Sequence, residues 1–290
     1  LSEYKGFVAD PSKGVVVEWI REIVTEKYDC EAGVPIVWQQ NQVDPSTMDQ
    51  SDLSARTINP TVQGKAGSMS RFAVLNDYLY AVLPSEMIVY HMASCDNVAQ
   101  VGRFSMFTQS GMAEMITSMN DLLLVGGSAG VDIYSTQTPE TPQYISSFAH
   151  VQACDPVAAQ GGYAYVTLRN GEDQPCGESF SNQLDVLDIS APQYPTLLRT
   201  FNMHNPHGVA IDGNLLFIAD GSEGLKVFDA TKPEEVGSHQ IAQFKDYFGY
   251  DVIPYNGVLV MVGEDGISQY SYSDPKNIQL LSAIPVESAK

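Results

Sequence analysis

The chain has 290 residues, 44% of them hydrophobic, and a formal net charge of −20 at neutral pH. That apolar share is enough for a sizeable core. The charge repels phosphate backbones and anionic lipid surfaces, so it argues against nucleic acid as a partner, and solubility is its plainest reading.

The chain begins at Leu1, without the basic region and apolar run of a signal peptide, and reads as processed, truncated or lacking its beginning. Residues 1–67 show no repeating unit. Val15–Val24 (VVVEWIREIV) and Val34–Trp38 read as outer strands, and Asn41–Lys65 as a polar exposed loop. The segment is therefore the tail of an earlier blade plus a loop.

From Ser68 onward a unit recurs five times, over about 68–104, 105–149, 150–203, 204–246 and 247–290. Each copy opens on an apolar strand and turns through Asn76-Asp77, Asn120-Asp121, Gly161-Gly162, Gly213-Asn214 or Asn256-Gly257. These residues accept the positive φ of a two-residue hairpin. A β-rich run follows: YLYAV, LLLVG, YAYVT, LLFIA and VLVMV. The third strands are MIVYHM, VDIYST, LDVLDIS, LKVFDA and ISQYSY, and a Pro/Asp/Asn-rich turn leads to the fourth. Tyr90, Tyr134, Leu187, Phe228 and Tyr270 align, at separations of 44, 53, 41 and 42 residues. A four-stranded propeller blade consumes about that many. Helical repeats of this period would show apolar spacing at i, i+3 and i+4, which these short β-branched and aromatic runs do not. The predicted fold is an all-β propeller of four-stranded antiparallel blades, with five clear repeats.

The long separation marks an insertion around Asn170–Ser181, which contains Cys176; Cys154 lies just before the same unit's first strand. A Cys154–Cys176 disulfide would staple this loop at roughly 3 kcal/mol by the loop-entropy model. Four buried free thiols would fit the same composition. Cys30 and Cys95 fall in different segments and are left unpaired. No CxxC pair is present, which argues against a zinc site.

The stretches GVAIDGNLLFIADGSEGLKVFDATKP from Gly208, GGYAYVT from Gly161 and NQLDVLDISAPQYPTLL from Asn182 resemble the LVIVD repeats of bacterial and archaeal surface proteins. The likeness extends from about Gly67 to the end. MIVYHMASC and ISQYSYSDP depart from it by lacking the aspartate at the strand end. Within the family the chain looks most like Bacteroidota outer-membrane lipoproteins, whose Cys-Asp-Pro start and Cys-containing loop match Cys154-Asp155-Pro156 and Cys176. The resemblance implies further repeats before residues 1–67 and about seven blades in the intact protein. It also implies lipidation at a cysteine upstream of Leu1, and a place on the extracellular face of the outer membrane or in the periplasm. It supplies no catalytic residues.

Arg71, Glu114, Asp155, His207 and Asp251 stand at the inner ends of the five first strands, where propeller strands converge on a central channel. Such a ring suits an ion, a small ligand or a peptide terminus; it equally caps strand ends and keeps the channel wet. His204, His207 and His150 invite a metal reading, but Pro206 breaks regular ligand geometry, and no metal or cofactor is expected. GGSAG at Gly126–Gly130 lacks the strand–turn–helix setting of a nucleophile elbow. Asp188, Asp220 and Asp229 end strands and are expected to accept backbone N–H bonds. Trp19, Trp38, Phe244, Tyr247, Phe248, Tyr250 and Tyr255 read as blade packing by default and as an interface or sugar platform if exposed. The expected role is a non-catalytic surface scaffold that presents loops to a protein partner or serves as an accessory subunit of an outer-membrane assembly. A carbohydrate-active or hydrolytic propeller, or a carbohydrate-binding module, is the alternative.

Overall fold

The computed structural model describes residues 67–94, 97–106, 109–150, 156–169, 182–264 and 266–286. They form a five-bladed β-propeller, each blade an antiparallel sheet of four strands in chain order. Blade 1 comprises β1 (Phe72–Leu75), β2 (Tyr78–Leu83), β3 (Glu86–Ser94) and β4 (Asn97–Ser105). Blade 2 comprises β5 (Ala113–Met119), β6 (Leu122–Gly127), β7 (Gly130–Ser135) and β8 (Gln143–Ala149). Blade 3 comprises β9 (Val157–Gln160), β10 (Tyr163–Leu168), β11 (Gln183–Asp188) and β12 (Thr196–Asn202). Blade 4 comprises β13 (Val209–Asp212), β14 (Leu215–Ala219), β15 (Leu225–Asp229) and β16 (Gln240–Phe244). Blade 5 comprises β17 (Asp251–Tyr255), β18 (Val258–Gly263), β19 (Gly266–Ser271) and β20 (Gln279–Pro285). The helical content of the described residues is two short 3-10 segments, Gly221–Glu223 and Pro233–Ser238.

The hairpins turn where the sequence places them. Asn76, Asn120 and Asn256 take φ of 54°, 53° and 50°, and Gly161 and Gly213 take 64° and 58°. A second repeated feature is invisible to pattern reading: the pairing of third and fourth strands slips at Val89/Tyr90, Ile133/Tyr134, Val186/Leu187, Val227/Phe228 and Gln269/Tyr270. This is the same position in every blade. A bulge there bends the outer strand and increases its twist.

β1 lies beside β5, β5 beside β9, β9 beside β13 and β13 beside β17. The core is divided among the four blade junctions. Tyr80, Met87 and Val89 of blade 1 meet Ile116, Leu123 and Tyr134 of blade 2. Leu124 and Ile133 meet Val166 and Leu187 between blades 2 and 3. Tyr165 and Leu184 meet Leu216 and Phe228 between blades 3 and 4, and Phe217 and Leu225 meet Leu259 and Tyr270 between blades 4 and 5. Middle blades bury both faces, which is why LLLVG and YAYVT are continuous apolar runs rather than alternating ones.

Candidate functional site at the channel mouth

All five inner strands run the same way, so the residues that precede them gather at one end of the central channel. Connections between second and third strands share that end, because each second strand runs back towards it. Into this mouth come Arg71, Glu114, His207 and Asp251. Asp155 and the insertion Asn170–Ser181 lie outside the described residues, as do Cys30, Cys95, Cys154 and Cys176 and the N-terminal segment 1–66.

The four described ring residues sit in two separate settings. Glu114, half-buried at the second position of β5, has its pKa raised by burial, with the charge of Arg71 pulling it back. His207 and Asp251 belong to the junction of blades 4 and 5. The His207 backbone is fully used: its N–H donates to Ala219 O at 2.7 Å, and its carbonyl accepts from Thr167 Oγ1 at 2.7 Å. Its imidazole is buried against Tyr250 and Phe248, at ring centroid distances of 5.6 and 6.5 Å. Burial first, and then the charge of Arg169, push its pKa down to about 4, against the opposing pull of Asp220. At neutral pH this histidine is an uncharged wedge under two aromatic rings.

Asp251 does not face open channel. Its Oδ1 accepts from Ser68 Oγ at 3.0 Å and from Val252 N–H at 3.0 Å, and its Oδ2 accepts from Met69 N–H at 3.4 Å. Burial raises the pKa of the carboxyl and these donors partly restore it. Ser68 in turn accepts from Val209 N–H at 2.9 Å, and Ser70 O accepts from Ile116 N–H at 2.8 Å. The Gly67–Ser70 turn thus spans the mouth, tied to β5, β13 and β17. Below it lies a channel cavity of about 190 Å³, lined by Ser68, Thr117, Val157, Gln160, Val209 and Pro254 among others. Ser68 was not recognisable from sequence: it precedes the first repeat strand and meets its partners only through space.

Buried aspartates anchor the loops around the mouth. Asp220 accepts from the N–H groups of His204 and Asn205 and pairs with Lys226. Asp132 accepts from Ser110 Oγ at 2.6 Å and Gln109 N–H at 3.3 Å. Asp185 accepts from Thr200 Oγ1 and Gln183 Nε2. Asp132 and Asp185 occupy equivalent positions of the third strand, and burial raises the pKa of both. A lone aspartate within an apolar strand was the available signal. Asp188 and Asp229 each accept from a backbone N–H and a hydroxyl two residues on, at Ser190 and Thr231.

The aromatic candidates divide. Tyr247 is stacked between Phe244 and Tyr270, at centroid distances of 5.2 and 4.5 Å, as blade packing. Phe248 and Tyr250, edge to face at 5.7 Å, remain 42% and 38% exposed at the mouth. Met69 and Met112 also stand exposed immediately before inner strands. Tyr255 is exposed at the other end of β17. His204 Nε2 and Ser222 Oγ share a hydrogen bond of 3.0 Å on the exposed side.

Residues 152–172, 179–203 and 205–238 match the LVIVD repeat. The protein is a β-propeller that carries LVIVD repeats. The matched repeats are those of blades 3 and 4. No curated protein matches the sequence. Solved structures similar to this LVIVD-repeat propeller include the computationally designed Ika8 protein, at 13% identity and a TM-score of 0.51, over 74% of this chain and 61% of that one. A functionally unknown protein from Desulfotomaculum acetoxidans DSM 771 is similar at 11% identity and a TM-score of 0.58, over 77% and 71% of the two chains. A protein from Lactobacillus plantarum is similar at 16% identity and a TM-score of 0.53, over 72% and 69%. The chain thus spans about three fifths of the designed protein's length. At these identities the likeness speaks for the fold alone.

Proposed function

We propose that this propeller is a non-catalytic scaffold that holds a protein partner at the channel mouth, as an accessory component of an outer-membrane or cell-surface assembly. One observation carries the reading: Phe248 and Tyr250 project half-exposed from the mouth while a buried neutral histidine fixes them from below. Rigid aromatic anchors supply contact area at low entropic cost and dominate protein interfaces. The loops that present them stand on a blade scaffold, where binding residues concentrate. The surface location rests on the resemblance of the repeats and on the high negative charge, which suits a solvent-facing domain.

The test compares Phe248→Ala/Tyr250→Ala with Tyr255→Ala in cross-linking capture from native membranes. Partner capture falls by about tenfold or more in the double variant, as loss of a hot spot requires, and persists in Tyr255→Ala. Equal capture by both variants defeats the reading. Hydrolysis of polysaccharide or peptide by the parent chain would replace it with the enzyme. Binding of glycans that the double variant abolishes, without any captured protein, would replace it with a carbohydrate-binding module. Protease shaving of intact cells tests the location: a surface propeller is digested, and a protected one contradicts the placement.

A further inference from the structure

The loop from Lys245 to Tyr250 carries blade 4 across the mouth to blade 5. Phe248 and Tyr250 meet edge to face at 5.7 Å and stay 42% and 38% exposed. The ring beneath them, His207, is uncharged at neutral pH, so the aromatic cluster holds no cation of its own. Two carboxylates flank the pair. Asp246 lies two residues before Phe248, in the turn closed by Tyr247 N–H donating to Phe244 O at 3.2 Å. Glu264 lies just beyond Gly263, whose backbone packs so closely on Phe248 that a Cβ there would be 2.6 Å from the Phe248 carbonyl oxygen. Tyr250 N–H donates to Val262 O at 2.6 Å and fastens this end of β18 to the aromatic loop. Both acids are exposed.

The cations nearby are engaged elsewhere. Lys245 pairs with Glu223 at 3.2 Å, Lys226 pairs with Asp220, and Arg71 acts on Glu114. Among the described residues neither the Asp246 nor the Glu264 carboxylate has an ion pair. A partner that settles on Phe248 and Tyr250 also covers these two acids. Burying an unpaired carboxylate is costly, and a cation on the partner removes that cost. The ring faces attract the same charge. A guanidinium meets both demands: it is planar and weakly hydrated, stacks on aromatic rings and forks to carboxylate oxygens. The net charge of −20 draws a basic segment in and repels an acidic one.

We propose that the mouth recognises a basic segment of its protein partner, with an arginine laid on Phe248 and Tyr250 and its charge met by Asp246 and Glu264. The proposal rests on the reading of the mouth as the partner site and adds the chemistry of what binds there. Met69, held through its N–H by Asp251 beside Tyr250 and 42% exposed, gives the stem of that side chain an adaptable apolar margin.

Selection of random dodecapeptides displayed on phage against the full chain tests it. Phe248→Ala/Tyr250→Ala, Asp246→Asn/Glu264→Gln and Asp246→Lys/Glu264→Lys run in parallel, each checked as folded by thermal unfolding. Peptides that bind the parent and not the aromatic variant define the ligands of the mouth. They carry arginine or lysine well in excess of aspartate and glutamate. Synthesised and titrated, they lose affinity at least about fivefold towards Asp246→Asn/Glu264→Gln, as two partly desolvated ion pairs require. Replacing their arginine with citrulline costs as much, and the charge-reversed variant selects acidic peptides instead. On the parent alone, binding weakens at least about threefold between about 50 and about 500 mM salt; indifference to salt overturns the charge pairing. Aromatic-dependent peptides that are neutral or acidic, or that bind the carboxylate variants as well as the parent, overturn the basic segment and leave the mouth as the partner site. If no selected peptide depends on the aromatic pair, the mouth itself fails as the site, and this proposal with it.

Discussion

Gly208 is the position where a single methyl group should do most harm at least chemical cost. It stands between His207 and Val209, where blade 4 meets blade 5. A Cβ built there lies 2.3 Å from Asp251 Oδ1, 2.6 Å from Asp251 Cα and 2.9 Å from Tyr250 O. Two of these three atoms are backbone, so no side-chain rotation relieves the contact. Gly208 N–H also donates to Tyr250 O at 2.8 Å, and the displacement needed to admit the methyl breaks that bond. Overpacking costs about 1–3 kcal/mol, and the lost hydrogen bond about 0.5–1.5 kcal/mol. Gly208→Ala should therefore destabilise by about 2–4 kcal/mol, a fall in Tm of roughly 5–15 °C for a domain of this size. The control is Gly213→Ala in a hairpin turn. Its φ is 58° and nothing lies within 4 Å of its Cβ, so only the left-handed backbone penalty applies. That penalty is about 1 kcal/mol. Thermal and urea unfolding of both variants, followed by circular dichroism, gives the comparison. If Gly208→Ala costs no more than Gly213→Ala, the junction is looser than described and the account of the Asp251 pocket is wrong.

Lys226→Met should cost about 3 kcal/mol in urea unfolding, because it leaves the fully buried Asp220 carboxylate without its cation. Adding Asp220→Asn should recover part of that loss; a cost below about 1 kcal/mol for the single variant would show that the two loop amides alone sustain the charge. His207 makes stability depend on pH. Its folded pKa is about 4 against an ordinary 6.5, so between those values the unfolded chain binds more protons and stability falls as pH falls. The full effect is about 3 kcal/mol, present above pH 6.5 and lost towards pH 4. The raised carboxyls of Asp251, Asp132 and Asp185 act in the opposite sense, so the measurement is the difference between parent and His207→Gln across that window. A constant difference would refute the neutral buried imidazole.

Much of the propeller is legible in the sequence because its turns are local. Asn76, Asn120 and the Asn256-Gly257 pair are chosen for positive φ, and that requirement acts on two neighbouring residues wherever they lie in the chain. Asp188 and Asp229 are legible for the same reason, each satisfied by a Ser or Thr two residues on. The mouth is not local. Arg71, Glu114, His207 and Asp251 can be picked out as inner-strand ends, but their division into two settings depends on Ser68, 183 residues from Asp251. The role of His207 is similarly hidden, because its backbone bridges blades 3 and 4 while its ring supports two aromatics that follow more than forty positions later.

The two ends of the channel differ in a way that bears on where binding evolves. At the hairpin end, every connection between first and second strands is two residues long in all five blades. Those residues are bound by φ, and their neighbours are consumed in holding the turns together: Gln160 exchanges two hydrogen bonds with the Gly213 backbone, and Tyr272 OH donates to Asp212. Little there can change without loss of the fold. At the mouth, the connections between second and third strands run from two residues to fourteen. The buried aspartates brace the neighbouring connections that lead into inner strands: Asp132 holds Gln109 and Ser110, and Asp220 holds His204 and Asn205, while Asp185 ties β11 to β12. Fixed supports under variable loops are what a recognition surface needs, since the supports set position and the loops set chemistry. The exposed Phe248 and Tyr250 stand at this end, and a partner that met the hairpin end instead would find a surface already committed to its own turns.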